Sequence, residues 1–171
     1  DKKEIIKIAK EIKKICFDFN CLFLINDFLE IALEIGLDGV HLGLEDDLIS
    51  LARKNSPKNF LIGASCYDSR HLAMKAAEQG ADYISFGTFF PSITKNSQGK
   101  PTTEIITWCN EILNLPTVAI GGINDLNCKE LVKANVDFIA VISHVWQHFL
   151  GVEAALKILS SAIDKNYQNN S

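Results

Sequence analysis

The sequence predicts an α/β protein with a parallel sheet. Short apolar runs alternate with amphipathic helical patterns along the whole chain, as expected of parallel strands joined by helices. A five-residue pattern recurs at 36–40, 80–84 and 135–139, where a helix-ending Gly or Asn is followed by Asp and then by a strand. No Gly-x-Gly-x-x-Gly motif follows a strand, which argues against a dinucleotide-binding fold. Repetition of like units favours a (β/α)₈ barrel instead.

Six apolar runs predict the strands. Most of their residues are aliphatic or aromatic, and polar residues or glycines bound them, which is typical of strands buried on both faces. The runs lie at 21–25, 40–42, 60–65, 83–87, 117–120 and 138–143.

Seven segments have helical patterns. In residues 2–18, isoleucines occupy one face and lysines the other, which predicts an amphipathic helix. Gly36 and Gly80 each end a helix, and Asp68 or Ser69 begins one. The predicted helices cover 2–18, 28–35, 48–54, 68–79, 103–113, 126–134 and 152–163.

Six strands do not close an eight-stranded barrel. We therefore expect residues 1–164 to form a single, N-terminally incomplete barrel domain that lacks roughly the first two βα units. The helix at 2–18 would follow the second absent strand. Residues 165–171 are expected to be a frayed polar tail.

The amino-acid composition argues against nucleic-acid and membrane partners. The 171 residues are 47% hydrophobic and 22% charged, with a net charge of −4, which gives no basic surface for nucleic acid. We find no apolar run long enough for a membrane span and no signal peptide. Five cysteines without a CxxC pair indicate reduced thiols in a cytoplasmic protein. We expect small-molecule substrates and no membrane partner, and a homo-oligomer stays open.

The stretch Thr117–Asp125 predicts a phosphate site. A buried strand ends in Gly121 and Gly122, which lack the Cβ atoms that would hold an anion away from the backbone. Asn124 or Asp125 can cap the helix that follows. Together with the strand end at 138–143, this is the usual phosphate site of a (β/α)₈ barrel. Two ordinary strand-to-helix turns are the alternative interpretation.

Carboxylates follow two neighbouring strands. Asp27 ends the strand at 21–25, and Asp46 follows the strand at 40–42. Magnesium prefers one or two carboxylates together with substrate phosphate, so this pair is a candidate Mg²⁺ site. Helix capping would explain each aspartate singly, but not both lying at the mouth of the barrel.

Other polar groups also follow strands. The long loop 88–102 contains Thr94 and Lys95, which suit a phosphate or pyrophosphate, whereas a solvated loop lysine is the alternative. Ser65 could donate to a phosphate oxygen or cap a turn. His41 lies within a strand and is better interpreted as a satisfied core histidine than as a base. No strand interior holds a lysine, which argues against a Schiff-base aldolase.

Taken together, these motifs resemble the thiamine-phosphate synthase family. The matching segments occur in the family's order and cover nearly the whole chain. They are Leu24-Ile25-Asn26-Asp27, Gly39-Val40-His41-Leu42-Gly43 with Glu45-Asp46, Gly63-Ala64-Ser65, Gly80 to Gly87, Thr94-Lys95, Val118 to Ile123 and Val141-Ile142-Ser143.

The resemblance implies a (β/α)₈ transferase that joins hydroxymethylpyrimidine pyrophosphate to thiazole phosphate through a pyrimidine-methyl cation. It implies that Asp27 and Asp46 bind Mg²⁺ and that Asn26, Ser65 and Lys95 hold the pyrophosphate, with Ser65 and Lys95 catalytic. The residues that would seat the thiazole phosphate are Ser92, Thr94, Gly122, Ile142 and Ser143.

Three departures from the family pattern keep two alternatives open. The family's Gln-x-Arg-x-Lys segment is expected just before Asp1 and is not part of these 171 residues, Leu44 replaces a usual Gln, and Ser92-Ile93 replaces Thr-Ser. A related thiazole tautomerase is one alternative, although it needs a histidine soon after the Gly-x-Ser turn, where Cys66 and Tyr67 stand. A non-catalytic protein that binds thiazole or thiamine phosphate is the other.

Overall fold

The computed structural model describes residues 1–43, 48–91 and 99–168. Within these residues, helices and strands alternate as the sequence predicts up to the sixth strand, which two helices follow. The strands are β1 (Leu24–Asn26), β2 (Gly39–Leu42), β3 (Leu61–Tyr67), β4 (Tyr83–Gly87), β5 (Thr117–Ile120) and β6 (Phe138–Ala140). The helices are α1 (Lys2–Asp18), α2 (Leu29–Ile35), α3 (Leu48–Asn55), α4 (Arg70–Glu78), α5 (Glu104–Ile112), α6 (Lys129–Lys133), α7 (Ser143–Trp146) and α8 (Val152–Gln168).

All six strands belong to one parallel sheet, and their order in the sheet is their order in the chain. The sheet is curled. Its curvature brings a side chain of β2 across β3 to one of β4, so that His41 Nδ1 lies 2.9 Å from Tyr83 Oη. The predicted α/β class with a barrel-like parallel sheet is therefore confirmed. The number of strands in a complete barrel stays a prediction.

The outer face of the sheet carries the core. Val40, Ile62, Ala64, Ile84 and Phe86 are fully buried there against the helices. The alternate residues of these strands point to the other side, which we call the inner face. By contrast, α1 buries only its Ala9. None of the helices within the described residues combines the length and apolar character of a membrane span.

The predicted strands 21–25 and 138–143 have different ends in the structure. Residues 21–23 precede β1, because the Phe23 amide donates to the Asp38 carboxylate, 2.7 Å away, rather than to a strand neighbour. At the other edge of the sheet, β6 ends at Ala140. The chain then turns into α7, a short helix that the sequence analysis did not predict.

The last helix extends beyond the predicted bounds 152–163. Helix α8 continues to Gln168. Asn166 Nδ2 donates to the carbonyl of Ala162, one turn earlier, at 2.7 Å. Polar residues without glycine or proline continue a helix once its apolar face is packed, here through Ala155 and Leu159. Residues 169–171 lie outside the described part of the chain.

The recurring pattern seen in the sequence is a structural repeat. Its helix-ending residues adopt left-handed backbone angles, with φ of 65° at Gly36, 94° at Gly80 and 58° at Asn135. The aspartate two residues later accepts a hydrogen bond from a main-chain amide within one residue of the start of the preceding strand. These pairs are Asp38 with Phe23 (2.7 Å), Asp82 with Ile62 (2.7 Å) and Asp137 with Thr117 (2.8 Å). The aspartates therefore join neighbouring strands at the amino end of the sheet.

Candidate active site

The first candidate group lies at the carboxyl end of β1. Asn26 and Asp27 are both exposed. The Asp27 amide donates to the His41 carbonyl at 2.9 Å, and Asp27 has a φ of 65°, so β2 and the left-handed backbone fix its position. Its carboxylate forms no hydrogen bond or ion pair with any described residue. An exposed carboxylate held on a fixed backbone is available to a ligand.

Magnesium is the ion that this group would suit. The described residues contain no cluster of three or more His, Cys, Asp or Glu side chains that could hold a metal by itself. A site built from one or two carboxylates and substrate phosphate needs no such cluster. Asp27 fits the role of a carboxylate ligand, whereas its predicted partner Asp46 lies outside the described residues.

A polar cluster occupies the inner face of β2, β3 and β4. We call it the inner cluster, and it consists of His41, Ser65, Tyr83 and Ser85. His41 Nε2 lies 2.8 Å from Ser65 Oγ and 3.4 Å from Ser85 Oγ. His41 Nδ1 lies 2.9 Å from Tyr83 Oη, and the two rings stack with centroids 5.5 Å apart. Burial raises the pKa of Tyr83 to about 12, so its hydroxyl stays protonated near neutral pH.

The structure confirms that His41 is a hydrogen-bonded core histidine. It also connects the two groups that the sequence analysis treated separately, because its carbonyl binds the Asp27 amide and its ring meets Ser65. Tyr83 and Ser85 were not among the site residues predicted from the sequence. Their period-two spacing on β4 was the available signal, but the contact with His41 crosses an intervening strand.

A second candidate group surrounds the glycine pair after β5. Gly121 and Gly122 have φ angles of 104° and 63°, which favour glycine. A Cβ at Gly121 would overlap Thr88, and one at Gly122 would overlap the Pro91 carbonyl oxygen. The loop after β4 therefore packs directly on this turn. The close packing of this loop explains why both positions are glycine. The sequence analysis predicted a different reason, the access of an anion to the backbone.

Asparagine side chains hold the turn that follows. Asn124 Oδ1 accepts from the amides of Leu126 and Asn127, at 2.9 and 3.1 Å. Asn127 Nδ2 donates to the Gly122 carbonyl at 2.9 Å. The prediction that Asn124 or Asp125 caps the helix that follows is wrong. Asn124 caps a turn, and α6 begins only at Lys129, with Cys128 as its N-cap residue.

The end of β6 lies beside this turn. His144 Nδ1 is 3.9 Å from Asp125 Oδ1, so the segment that contains Ile142 and Ser143 contacts the segment after the glycines. Ile142 is 53% exposed, and Ser143 begins α7. The two strand ends predicted to share a phosphate site are thus neighbours.

The parallel sheet brings six of the predicted residues to one edge, because the carboxyl ends of parallel strands share an edge. These residues are Asn26, Asp27, Ser65, Gly122, Ile142 and Ser143. The predicted residues Asp46, Ser92, Thr94 and Lys95 lie outside the described residues. In a barrel enzyme this edge is where the chemistry takes place.

Comparison with known proteins gives a consistent result. The family model described as thiamine monophosphate synthase matches residues 1–145. A thiamine-phosphate synthase of Erythrobacter litoralis is 41% identical over 148 residues, covering 85% of this chain and 70% of the relative. One from Rhodospirillum centenum is 46% identical over 134 residues, covering 78% of this chain and 65% of the relative.

A solved structure is also similar. The thiamine phosphate pyrophosphorylase of Pyrococcus furiosus superposes with a TM-score of 0.83 at 35% identity, covering 97% of this chain and 79% of that chain. The chain described here thus spans about two thirds of the length of the two curated relatives, at 70% and 65%.

Proposed function

This chain belongs to the thiamine-phosphate synthase family, and we propose that it carries the active site of a transferase that makes thiamine phosphate. The substrates are hydroxymethylpyrimidine pyrophosphate and thiazole phosphate. The observation that carries the proposal is the family match over residues 1–145, which spans every strand of the sheet. The reduced thiols support a cytoplasmic location.

The reaction proceeds in two steps. First the C–O bond between the pyrimidine methylene and the pyrophosphate breaks, and its electron pair leaves with the pyrophosphate. The methylene carbon of the resulting pyrimidine cation then accepts the lone pair of the thiazole nitrogen, which forms the C–N bond of thiamine phosphate. Because charge separates in the first step, stabilising the departing pyrophosphate is the main task of the protein.

Asp27 and Asp46 would hold Mg²⁺ in this proposal, and the ion would supply positive charge that stabilises the pyrophosphate. Asn26, Ser65 and Lys95 bind the pyrophosphate oxygens, and Ser65 and Lys95 stabilise its negative charge as it leaves. The exposed Asp27 carboxylate, which has no described partner, supports this assignment. So does the position of Ser65 on the inner face, next to His41.

The thiazole phosphate is assigned to the opposite side of the mouth, at Ser92, Thr94, Gly122, Ile142 and Ser143. The contact between the Gly122 turn and the start of α7 supports this assignment, because it makes the two strand ends neighbours. Hydroxyl and main-chain N–H groups are suitable donors to a phosphate.

Cys66 and Tyr67 stand where a tautomerase is expected to have a histidine, soon after the Gly-x-Ser turn. The Cys66 side chain is fully buried on the outer face. Burial raises its pKa to about 12, so it is a poor proton donor near neutral pH. The transferase is therefore the better-supported activity.

Incubation with both substrates tests the proposal. With Mg²⁺ present, we expect thiamine phosphate and pyrophosphate to form in equal amounts, as measured by chromatography and a pyrophosphate assay. Reactions without Mg²⁺ or without thiazole phosphate are the controls, and each should abolish thiamine phosphate formation. Binding of thiazole phosphate in calorimetry without any turnover would contradict the transferase and favour a binding protein.

A further inference from the structure

The side chain of Tyr83 lies across the inner face and packs on the neighbouring strand. Its ring lies over Gly63 of the neighbouring strand, where any Cβ would overlap the ring. This gap lets the phenol reach across β3 and place its oxygen 2.9 Å from His41 Nδ1. The glycine, the stacked rings and the hydrogen bond together hold both side chains in one arrangement.

We assign Tyr83 as the donor in its hydrogen bond with His41, which fixes the imidazole nitrogen that carries the proton. Tyr83 makes no other hydrogen bond with the described residues, so the His41 ring is the acceptor they offer for its proton. With Tyr83 donating, Nδ1 accepts and Nε2 carries the hydrogen of a neutral imidazole. Nε2 then donates to Ser65 Oγ at 2.8 Å.

The orientation of the Ser65 hydroxyl follows from this. Once Ser65 Oγ accepts from His41, its own hydrogen cannot point back at that nitrogen and is available to another acceptor. We propose that Tyr83 is a positioning residue, which fixes His41 so that the Ser65 hydroxyl donates to the departing pyrophosphate. This inference rests on the proposed function of Ser65.

Two variants and their combination test the inference. Tyr83→Phe removes the phenol oxygen alone, and Ser65→Ala removes the hydroxyl on which Tyr83 is proposed to act. We expect Tyr83→Phe to lower kcat by about tenfold and to leave KM for thiazole phosphate unchanged. The reason is that the Ser65 hydroxyl, once displaced, matters most as negative charge develops on the departing pyrophosphate. In the Ser65→Ala background, Tyr83→Phe should have no further effect. Ser160→Ala, on the exposed face of α8, is the matched control for Ser65→Ala.

A second readout does not depend on turnover. Nitrogen-15 NMR of His41, assigned with a His41→Asn variant, should report a protonated Nε2 and an unprotonated Nδ1 in the parent chain. In Tyr83→Phe the two tautomers should mix. Circular dichroism checks that each variant is folded.

The outcomes separate the two proposals. Equal effects of Tyr83→Phe with and without Ser65 would overturn the inference, as would a protonated Nδ1 in the parent chain. If the parent chain has no synthase activity, the proposed function fails. The tautomer, together with the affinity of each variant for inorganic pyrophosphate and Mg²⁺ in calorimetry, then decides the role of Tyr83.

Discussion

The two ends of the sheet use aspartate for opposite purposes. At the amino end, Asp38, Asp82 and Asp137 each accept a hydrogen bond from a main-chain amide of the neighbouring unit. At the carboxyl end, Asp27 is exposed, and its carboxylate has no partner among the described residues. The same residue type is therefore structural where its oxygens are already bound, and a candidate ligand where they are not.

The comparison predicts that activity and stability respond to different aspartates. The largest effect is expected for Asp27→Asn, which keeps the shape and the left-handed backbone preference but removes the charge. We expect kcat/KM to fall by about 10²- to 10³-fold, with the free energy of unfolding unchanged. Activity assays over a range of Mg²⁺ concentrations and urea denaturation measure the two quantities.

The matched control for Asp27→Asn is Asp164→Asn on the exposed side of α8, which should change neither activity nor stability. An equal loss of thiazole phosphate affinity in Asp27→Asn would contradict a metal role. So would an unaltered Mg²⁺ dependence.

The opposite pattern is expected for Asp82→Ala at the amino end. This change removes the acceptor of the Ile62 amide and the ion-pair partner of Arg53. The free energy of unfolding should fall by about 2 kcal/mol, because the amide loses its partner in a partly buried site. The value of kcat/KM below the unfolding transition should change little. A strong loss of activity in the still-folded variant would show that the two ends are not independent.

The smallest effect is expected for Ser143→Ala. Loss of one neutral hydrogen bond to the phosphate corresponds to about 1 kcal/mol, or roughly a fivefold higher KM for thiazole phosphate. Titration of thiazole phosphate at saturating pyrimidine substrate measures the change, with Ser160→Ala on the exposed face of α8 as the control. If Ser143→Ala instead changes pyrophosphate binding, Ser143 belongs to the pyrophosphate side of the site.

The elements that could be predicted from sequence are those set by local signals. Gly36 ends α2 with a φ of 65°, and Ser69 caps α4 by accepting from the Leu72 amide at 3.2 Å. The strand ends at residues 21–23 and 141–143 were wrong because tertiary contacts decide them. The Asp38 carboxylate takes the Phe23 amide, and the chain turns into α7 after β6.

The candidate site divides in the same way. Asn26, Asp27 and Ser65 could be placed from sequence, because each follows or lies near the end of an apolar run. The contact of Tyr83 with His41 could not, since it depends on the curl of the sheet and on the strand register that sets His41 beside Gly63, and Gly63 beside Tyr83. Residues 44–47 and 92–98 lie outside the described part of the chain, so their predicted roles stay predictions.

The order of the strands also has a consequence for biosynthesis. Each strand from β2 onward pairs with the strand that the ribosome made just before it. Its hydrogen-bonding partner is therefore already available when it emerges, and the loops to be closed are those of single βα units. A sheet assembled in this way can add one strand at a time during translation. The strand added last then lacks a hydrogen-bonding partner on one side until the next strand is made.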